Sequence, residues 1–246
     1  METEIYTIMN ERESTFWWHV GMRKIIAAVL ASYAPQRQDN VILDAGCGTG
    51  GMFELLSSYG AIYGIDKSNQ AIDYAQRKGI ARQLFVGSIA KLPFADNTFD
   101  MVFCLDVLYH QRAGNDWQTL REFQRVLKQG GLLVIREPAY NWLRGHQDKL
   151  VWTKKRYYKK ELVSAVGAAG FKPLKVSYLN FFLFPLAVAK RLSEHIYVSK
   201  NIISKTFHSH WLVNDMFEKC LSLEAALIPY IQFPYGLSIM CVAKKK

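Results

Sequence analysis

VILDAGCGTGG, Val41 to Gly51, decides how the rest of the chain is read. A short apolar strand, Val41, Ile42 and Leu43, ends in Asp44 and passes directly into Gly46, Gly48, Gly50 and Gly51. Glycines at this spacing let the backbone turn tightly and approach a ligand where any Cβ would collide. The spacing Gly46-x-Gly48-x-x-Gly51 also satisfies the dinucleotide fingerprint, which alone is a weak signal. Asp44 separates the two readings. A carboxylate ahead of the first glycine repels a pyrophosphate and suits a ligand that carries an ammonium and a sulfonium. A glycine-rich turn with no ligand is the plain alternative.

Outward from this loop the pattern alternates. Thr15 to Ala34 reads as a helix closed by Pro35. After the strand Val41–Leu43 comes a helix through Met52, Leu55 and Leu56. A second strand, Ala61 to Ile65, ends in Asp66, and Ser68 caps a helix that runs to Lys78 before Gly79. Gln83 to Val86 and Phe99 to Leu105 are the next strands, the latter apolar on both faces, as a covered strand should be. A helix from Trp117 to Leu127 stops at Gly130-Gly131, Leu132 to Ile135 is the fifth strand, and Lys159 to Ala169 a helix stopped by Gly170. Phe171–Leu179 and Leu237–Val242 are the last two strands. Such alternation implies a parallel sheet with helices on both faces.

The chain has 246 residues, half of them hydrophobic, enough for one α/β domain. A formal charge of +10 and a pI near 9.4 allow nucleic acid, an anionic substrate or an acidic membrane face as partners. Many basic residues, however, are scattered along amphipathic segments or gathered in the tail Lys244–Lys246, which a solvated surface also explains. The four cysteines, Cys47, Cys104, Cys220 and Cys241, have neither metal-ligand spacing nor a disulfide framework, so no metal site and a reduced, cytoplasmic chain are expected. The acidic start METEIYTIMNERE lacks the layout of a secretory signal. Tyr178 to Ala189, the most lipid-like stretch, is too short to span a bilayer and contains Pro185.

Asp66, closing the second strand, is placed to accept hydrogen bonds from both hydroxyls of a ribose. The run D-A-G-C-G-T-G from Asp44 resembles the first motif of class I S-adenosylmethionine (SAM) methyltransferases, D-x-G-x-G-x-G. Gly87-Ser88-Ile89 followed by Leu92-Pro93-Phe94 is similar to the family's G-D-A and L-P-F loop, with Ser88 in place of the aspartate that holds the adenine amino group. FDMVFCLDVLYH (Phe99 to His110) resembles the fourth motif, and RVLKQGGLLVI (Arg125 to Ile135) the turn into strand five. Phe16-Trp17-Trp18 with Gly21 and Arg23 is similar to the N-terminal segment of a bacterial subgroup, the type 11 methyltransferases. Pro138 to Leu143, His146-x-Asp148, Arg156-Tyr157, Glu161-Leu162, Asn180 to Pro185 and Phe233 to Ser238 resemble the same subgroup.

The resemblance implies a Rossmann-like α/β fold: seven strands, mainly parallel, helices on both faces, an N-terminal helix and a helical insertion before the last strand. It divides one domain into a helical segment 1–37, a SAM-binding core 38–180, a helical cap 181–234 and a last strand with basic tail, 235–246. SAM would be held by Trp18, Arg23, Asp44, Gly46, Gly48, Asp66, Lys67, Ser88, Ile89, Leu105 and Asp106. Tyr109, Tyr140, Trp142, Arg156 and Tyr157 would meet the acceptor, with Lys155 standing where a second arginine is usual. His110, by its ordinary pKa, and a His146–Asp148 pair are the candidate general bases. Each has a plainer reading as a capping or stacking residue.

Three functions remain open. The first is methylation of a small-molecule, sugar or lipid-linked acceptor, hydrophobic or anionic, at oxygen. The second is methylation of RNA or protein, suggested by Lys154, Lys155, Arg156, Lys159 and Lys160, although no nucleic-acid module is appended and Glu137-Pro138-Ala139-Tyr140 is only superficially similar to the N-P-P-Y of amino-group methylases. The third is a dinucleotide oxidoreductase, or a fold retained for binding alone. The apolar residues of 181–233, interspersed with Lys190, Arg191, Lys200 and Lys205, read as a substrate cap, a dimer surface or a peripheral membrane contact. The chain is read as monomer or homodimer.

Overall fold

The computed structural model describes residues 3–34, 38–145, 148, 151–194 and 210–246. Seven strands form one sheet: β1 (Asn40–Ala45), β2 (Gly60–Asp66), β3 (Gln83–Val86), β4 (Phe99–Leu105), β5 (Leu127–Pro138), β6 (Phe171–Leu179) and β7 (Ser238–Lys245). Their order is β3-β2-β1-β4-β5-β7-β6. β1 pairs in parallel with β2 and β4, β2 with β3, and β4 with β5, while β7 runs antiparallel between β5 and β6. This is the mainly parallel α/β sheet that the alternating pattern predicts. Because β1 lies beside β4, the strand order reverses there, and the carboxyl ends of the two strands open a crevice.

The sequence explains which strands are central. Ile42 and Leu43 of β1, Met101 to Cys104 of β4 and Leu133 to Ile135 of β5 are all buried, as runs covered on both faces must be. β3, at one edge, is only partly covered. β6, at the other edge, accommodates Pro173, and its register with β7 shifts between Pro173 and Lys175. A proline is tolerated there because an edge strand has a backbone side that needs no donor.

The helices are α1 (Thr3–Arg12), α2 (Trp17–Tyr33), α3 (Phe53–Ser57), α4 (Asn69–Arg77), α5 (Asp116–Val126), α6 (Lys159–Ala168), α7 (Phe184–Glu194) and α8 (Trp211–Leu227). Among the described residues no helix is long and apolar enough to cross a membrane. α2 lays Ile25, Ile26, Val29 and Leu30 into the core. Its first turn has no side-chain cap of its own. Asn214 of α8 supplies one, accepting from the Trp17 amide at 2.9 Å and donating to Thr15 O at 3.1 Å. Gly21 lets α8 approach: a Cβ there would lie 2.3 Å from Leu221 Cδ1. His210 caps α8 by accepting from the Leu212 amide; Lys200 and Lys205 lie outside the described residues.

Two expectations need correction. The N-terminal segment holds two helices, with α2 starting at Trp17 and not Thr15. α1 lacks a clear periodic face and is held by tertiary contacts, buried Ile5 and a hydrogen bond between the Thr7 and Tyr74 hydroxyls at 3.0 Å. Gly130-Gly131 does not close a helix: α5 ends at Val126 and β5 has already begun at Leu127. Pro35, expected to close the first helix, lies outside the described residues.

Candidate active site

Leaving β1, the chain folds back on the end of β2: the amides of Gly46 and Cys47 both donate to Ile65 O, at 2.7 and 3.1 Å. Gly46 has φ +85°, and a Cβ there would lie 2.4 Å from Val107 Cγ2, so both conformation and space require glycine. At Gly48, φ +52°, a Cβ would meet nothing within 4 Å. Its backbone borders open space, the geometry that admits a ligand close to the main chain. Asp66 ties the loop to β2, accepting from the Gly48 amide at 3.0 Å through Oδ2 and from the Ser68 amide at 2.9 Å through Oδ1.

This loop is one wall of a cavity of about 910 Å³. Trp18, Arg23, Asp44, Gly46, Gly48, Asp66, Lys67, Ile89, Leu105 and Asp106 line it, as do Tyr109, His110, Asp148 and Arg156. Other expected residues are placed elsewhere. Ser88 turns its hydroxyl to the Ala90 amide at 3.3 Å, and Gly87 and Ile89 border the cavity beside it. Tyr140 stacks on Tyr178 at 5.1 Å. Trp142 is 54% exposed and meets Phe184 edge-on. Tyr157 is buried and donates its hydroxyl to Asp116 at 2.9 Å. Their partners lie on β6, α7 and α5, and none of the three lines the cavity. An aromatic residue in a sequence gives its apolar weight but not the side to which the loop turns it.

Of the predicted His146–Asp148 pair only Asp148 is described. His146 lies outside the described residues, and Asp148 is engaged by Arg156, with Nε to Oδ1 at 2.8 Å and Nη2 to Oδ2 at 3.1 Å. Burial alone would raise the Asp148 carboxyl, but the Arg156 hydrogen bonds outweigh it and hold it below the usual range. A carboxylate so held is a poor proton acceptor. Lys155, which stands where a second arginine is usual, bridges Asp116 and Glu161 at 2.7 and 2.6 Å. His110 sits at the cavity wall, its backbone bridged to Thr153.

Four contributors are missing from the sequence-based list. Glu13, only 6% exposed, accepts from Thr49 Oγ1 at 2.6 Å and pairs with Lys78, and its carbonyl receives Arg23 Nη1 at 2.6 Å. It thereby fastens the segment between α1 and α2 onto the glycine loop. His19 and Arg136 line the cavity above the end of β5. Glu137 is fully buried and accepts from the amides of Val107, Leu108 and Tyr109 at 3.3, 2.9 and 3.0 Å. Arg136-Glu137, a charged pair ending the apolar run LLVI, was the available signal, since charges terminating a covered strand must be buried and partnered.

The electrostatics fit a cationic ligand group. Asp44 is 3% exposed, and burial first, then the nearby Asp66 charge, push its carboxyl up to about 7, with Arg136 pulling the other way. Asp66 is raised by burial too, against the opposing pull of the Ser68, Gly48 and Lys67 amides. An ammonium against Asp44 would relieve the burden of an isolated buried carboxylate. A ribose diol would take the remaining lone pairs of Asp66.

Comparison with known proteins agrees with this geometry. Residues 43–135 match a methyltransferase domain family, type 11. The demethylmenaquinone methyltransferase of Thermotoga maritima is 28% identical over 201 residues, covering 78% of this chain and 82% of that protein. The malonyl-[acyl-carrier protein] O-methyltransferase of Erwinia billingiae is 34% identical over 118 residues, 48% of this chain and 46% of the relative. The chain spans less than half the length of the first curated relatives it matches. Geranyl diphosphate C-methyltransferase from Streptomyces coelicolor, solved with Mg2+, geranyl diphosphate and S-adenosyl-L-homocysteine, superposes with a TM-score of 0.59 at 15% identity over 90% of this chain and 80% of that one. At that identity the likeness is one of fold. Residues 43–135 therefore carry a type 11 methyltransferase domain of the class I, S-adenosylmethionine-dependent kind.

Proposed function

We propose that the protein transfers a methyl group from SAM to a small-molecule acceptor with an apolar body, at an oxygen. The observation that carries this reading is the extent of the cavity. Its volume of about 910 Å³ is at the upper end of ordinary ligand sites, and it runs from the Asp44 loop to an apolar wall. Ile5 and Met9 of α1, Leu186 and Ala187 of α7 and Phe217 of α8 form that wall. The glycine-loop end suits the cofactor and the helical end a hydrophobic acceptor, with 181–234 acting as the cap.

When bound, SAM supplies an already activated methyl on its sulfonium. The chain's part is to hold an acceptor oxygen in line and to receive its proton. His110, one loop beyond β4, is the residue we assign to that proton. Asp44, Asp66, Lys67 and the Leu105–Asp106 turn are assigned to the cofactor, and Tyr109 to the acceptor. Asp148 and Arg156 are assigned to shaping the pocket as a locked pair. Three of the five basic residues that suggest RNA or protein as acceptor are paired with carboxylates of the chain itself. Lys154 holds Asp116 at 2.8 Å, Lys155 holds Asp116 and Glu161, and Arg156 holds Asp148.

Incubation with methyl-labelled SAM and fractionated cell extract tests the proposal. Label is expected in an organic-soluble small-molecule fraction. Label confined to protein or RNA would overturn the choice of acceptor.

A further inference from the structure

Arg136 interrupts an apolar strand and is only 5% exposed. A guanidinium carries its donors in a fixed planar fork. Here Nε donates to Asp106 Oδ2 at 3.1 Å, and Nη2 donates to the same oxygen. The Trp18 ring lies against one face, its centroid 4.9 Å from Cζ. Nη1, on the remaining arm, is buried and has no hydrogen-bond partner. His19 Nε2 is in the same state, and the Trp18 ring meets the His19 ring edge-on at 5.0 Å. Arg23, His19 and Arg136 all line the cavity.

A buried charged donor without an acceptor is expensive, and native structures seldom leave one. The group that satisfies an open guanidinium arm together with a neighbouring imidazole N–H is a planar anion. His19 fits the role of neutral donor: burial first, then Arg136 and Arg23, bring its pKa down to about 3. Asp106 occupies the other arm through one oxygen, so Arg136 is held in place before any ligand arrives.

We propose that Arg136, with His19 beside it, is a carboxylate-binding site in the cavity wall. The proposal rests on the methyltransferase reading and deepens it. The carboxylate has two available sources, the amino-acid end of the cofactor and an acid group on the acceptor.

Titration calorimetry with S-adenosylhomocysteine and 5′-methylthioadenosine, which shares the adenosine but lacks the amino acid, separates them. If the cofactor supplies the carboxylate, Arg136→Gln loses about 10- to 100-fold in S-adenosylhomocysteine affinity. Affinity for 5′-methylthioadenosine is then unchanged, which also reports that the variant is folded, and Arg136→Lys falls between. If the acceptor supplies it, S-adenosylhomocysteine affinity is unchanged. Hexanoate, added with saturating S-adenosylhomocysteine, then raises the melting temperature of the wild type but not of Arg136→Gln. Unchanged affinity together with an equal hexanoate response in both proteins would overturn the proposal. So would a joint loss of both nucleosides in the Gln and Lys variants, which marks a structural support only. A wild type that binds neither nucleoside would instead contradict the methyltransferase reading.

Discussion

Glu137→Ala is expected to lower the thermal midpoint by roughly 10 °C, the consequence of losing about 3–5 kcal/mol in a chain of this size. The Glu137 carboxylate is the shared acceptor for three consecutive amides, Val107, Leu108 and Tyr109, that follow β4. Burial and then the Asp106 charge push its carboxyl well above the usual range, and the three amides pull it back. Alanine would leave all three amides without that acceptor, the Leu108 amide among them fully buried, and open a void in the core. The loop they hold carries the Val107 side chain against Gly46, and Tyr109 and His110 at the cavity wall. Cofactor affinity should therefore fall with stability. Glu137→Gln keeps one acceptor oxygen but turns an amide nitrogen toward one of the N–H groups, so its loss should be roughly half. Thermal unfolding followed by circular dichroism measures both. A midpoint for Glu137→Ala within a degree of the wild type would sink this account of the loop.

Asp44 should show the opposite relation between stability and binding. Its carboxyl, raised to about 7 by burial first and then by Asp66, is more easily protonated in the folded chain than unfolded. The sign follows directly. Its contribution to stability is fully present below the ordinary aspartate range and is lost as pH rises through about 7. Asp44→Asn should therefore be more heat-stable than the wild type at pH 8 in the absence of ligand. Cofactor binding runs the other way, because the ammonium needs the ionised form. S-Adenosylhomocysteine affinity should rise with pH up to about 7 and then level, with a slope below it approaching tenfold per unit. At pH 6 binding should release a proton, visible as a dependence of the calorimetric heat on buffer ionisation enthalpy. In Asp44→Asn the slope should vanish, and affinity at pH 8 should fall about 100-fold, as for a lost charge-assisted contact at a buried site. A slope unchanged by the substitution would place the titrating group elsewhere.

The parts of this molecule legible in the sequence are those that local rules determine. β1, β4 and β5 announce themselves as apolar runs because both faces of each are covered. The Gly46–Gly51 loop is legible because its backbone conformation admits little else. Asp44 and Asp66 are legible because each ends a strand whose carboxyl end opens on the crevice. What escaped notice depends on partners far along the chain. Glu13 reaches Thr49 and Lys78, Asn214 caps α2, and Arg136 stands between Trp18 and Asp106. Tyr140, Trp142 and Tyr157 depend on distant partners in the same way, meeting Tyr178 of β6, Phe184 of α7 and Asp116 of α5. Asp148 is held by Arg156, eight residues further on, which offers two aligned N–H donors and a full charge.

The central claim is that the glycine loop behind Asp44 holds an adenosyl amino acid and not a dinucleotide, although its spacing matches both patterns. Titration calorimetry of the whole chain with S-adenosylhomocysteine and, separately, with NAD+ tests this most directly. The account predicts binding of S-adenosylhomocysteine and none of NAD+. Binding of NAD+ with no heat from S-adenosylhomocysteine would contradict it.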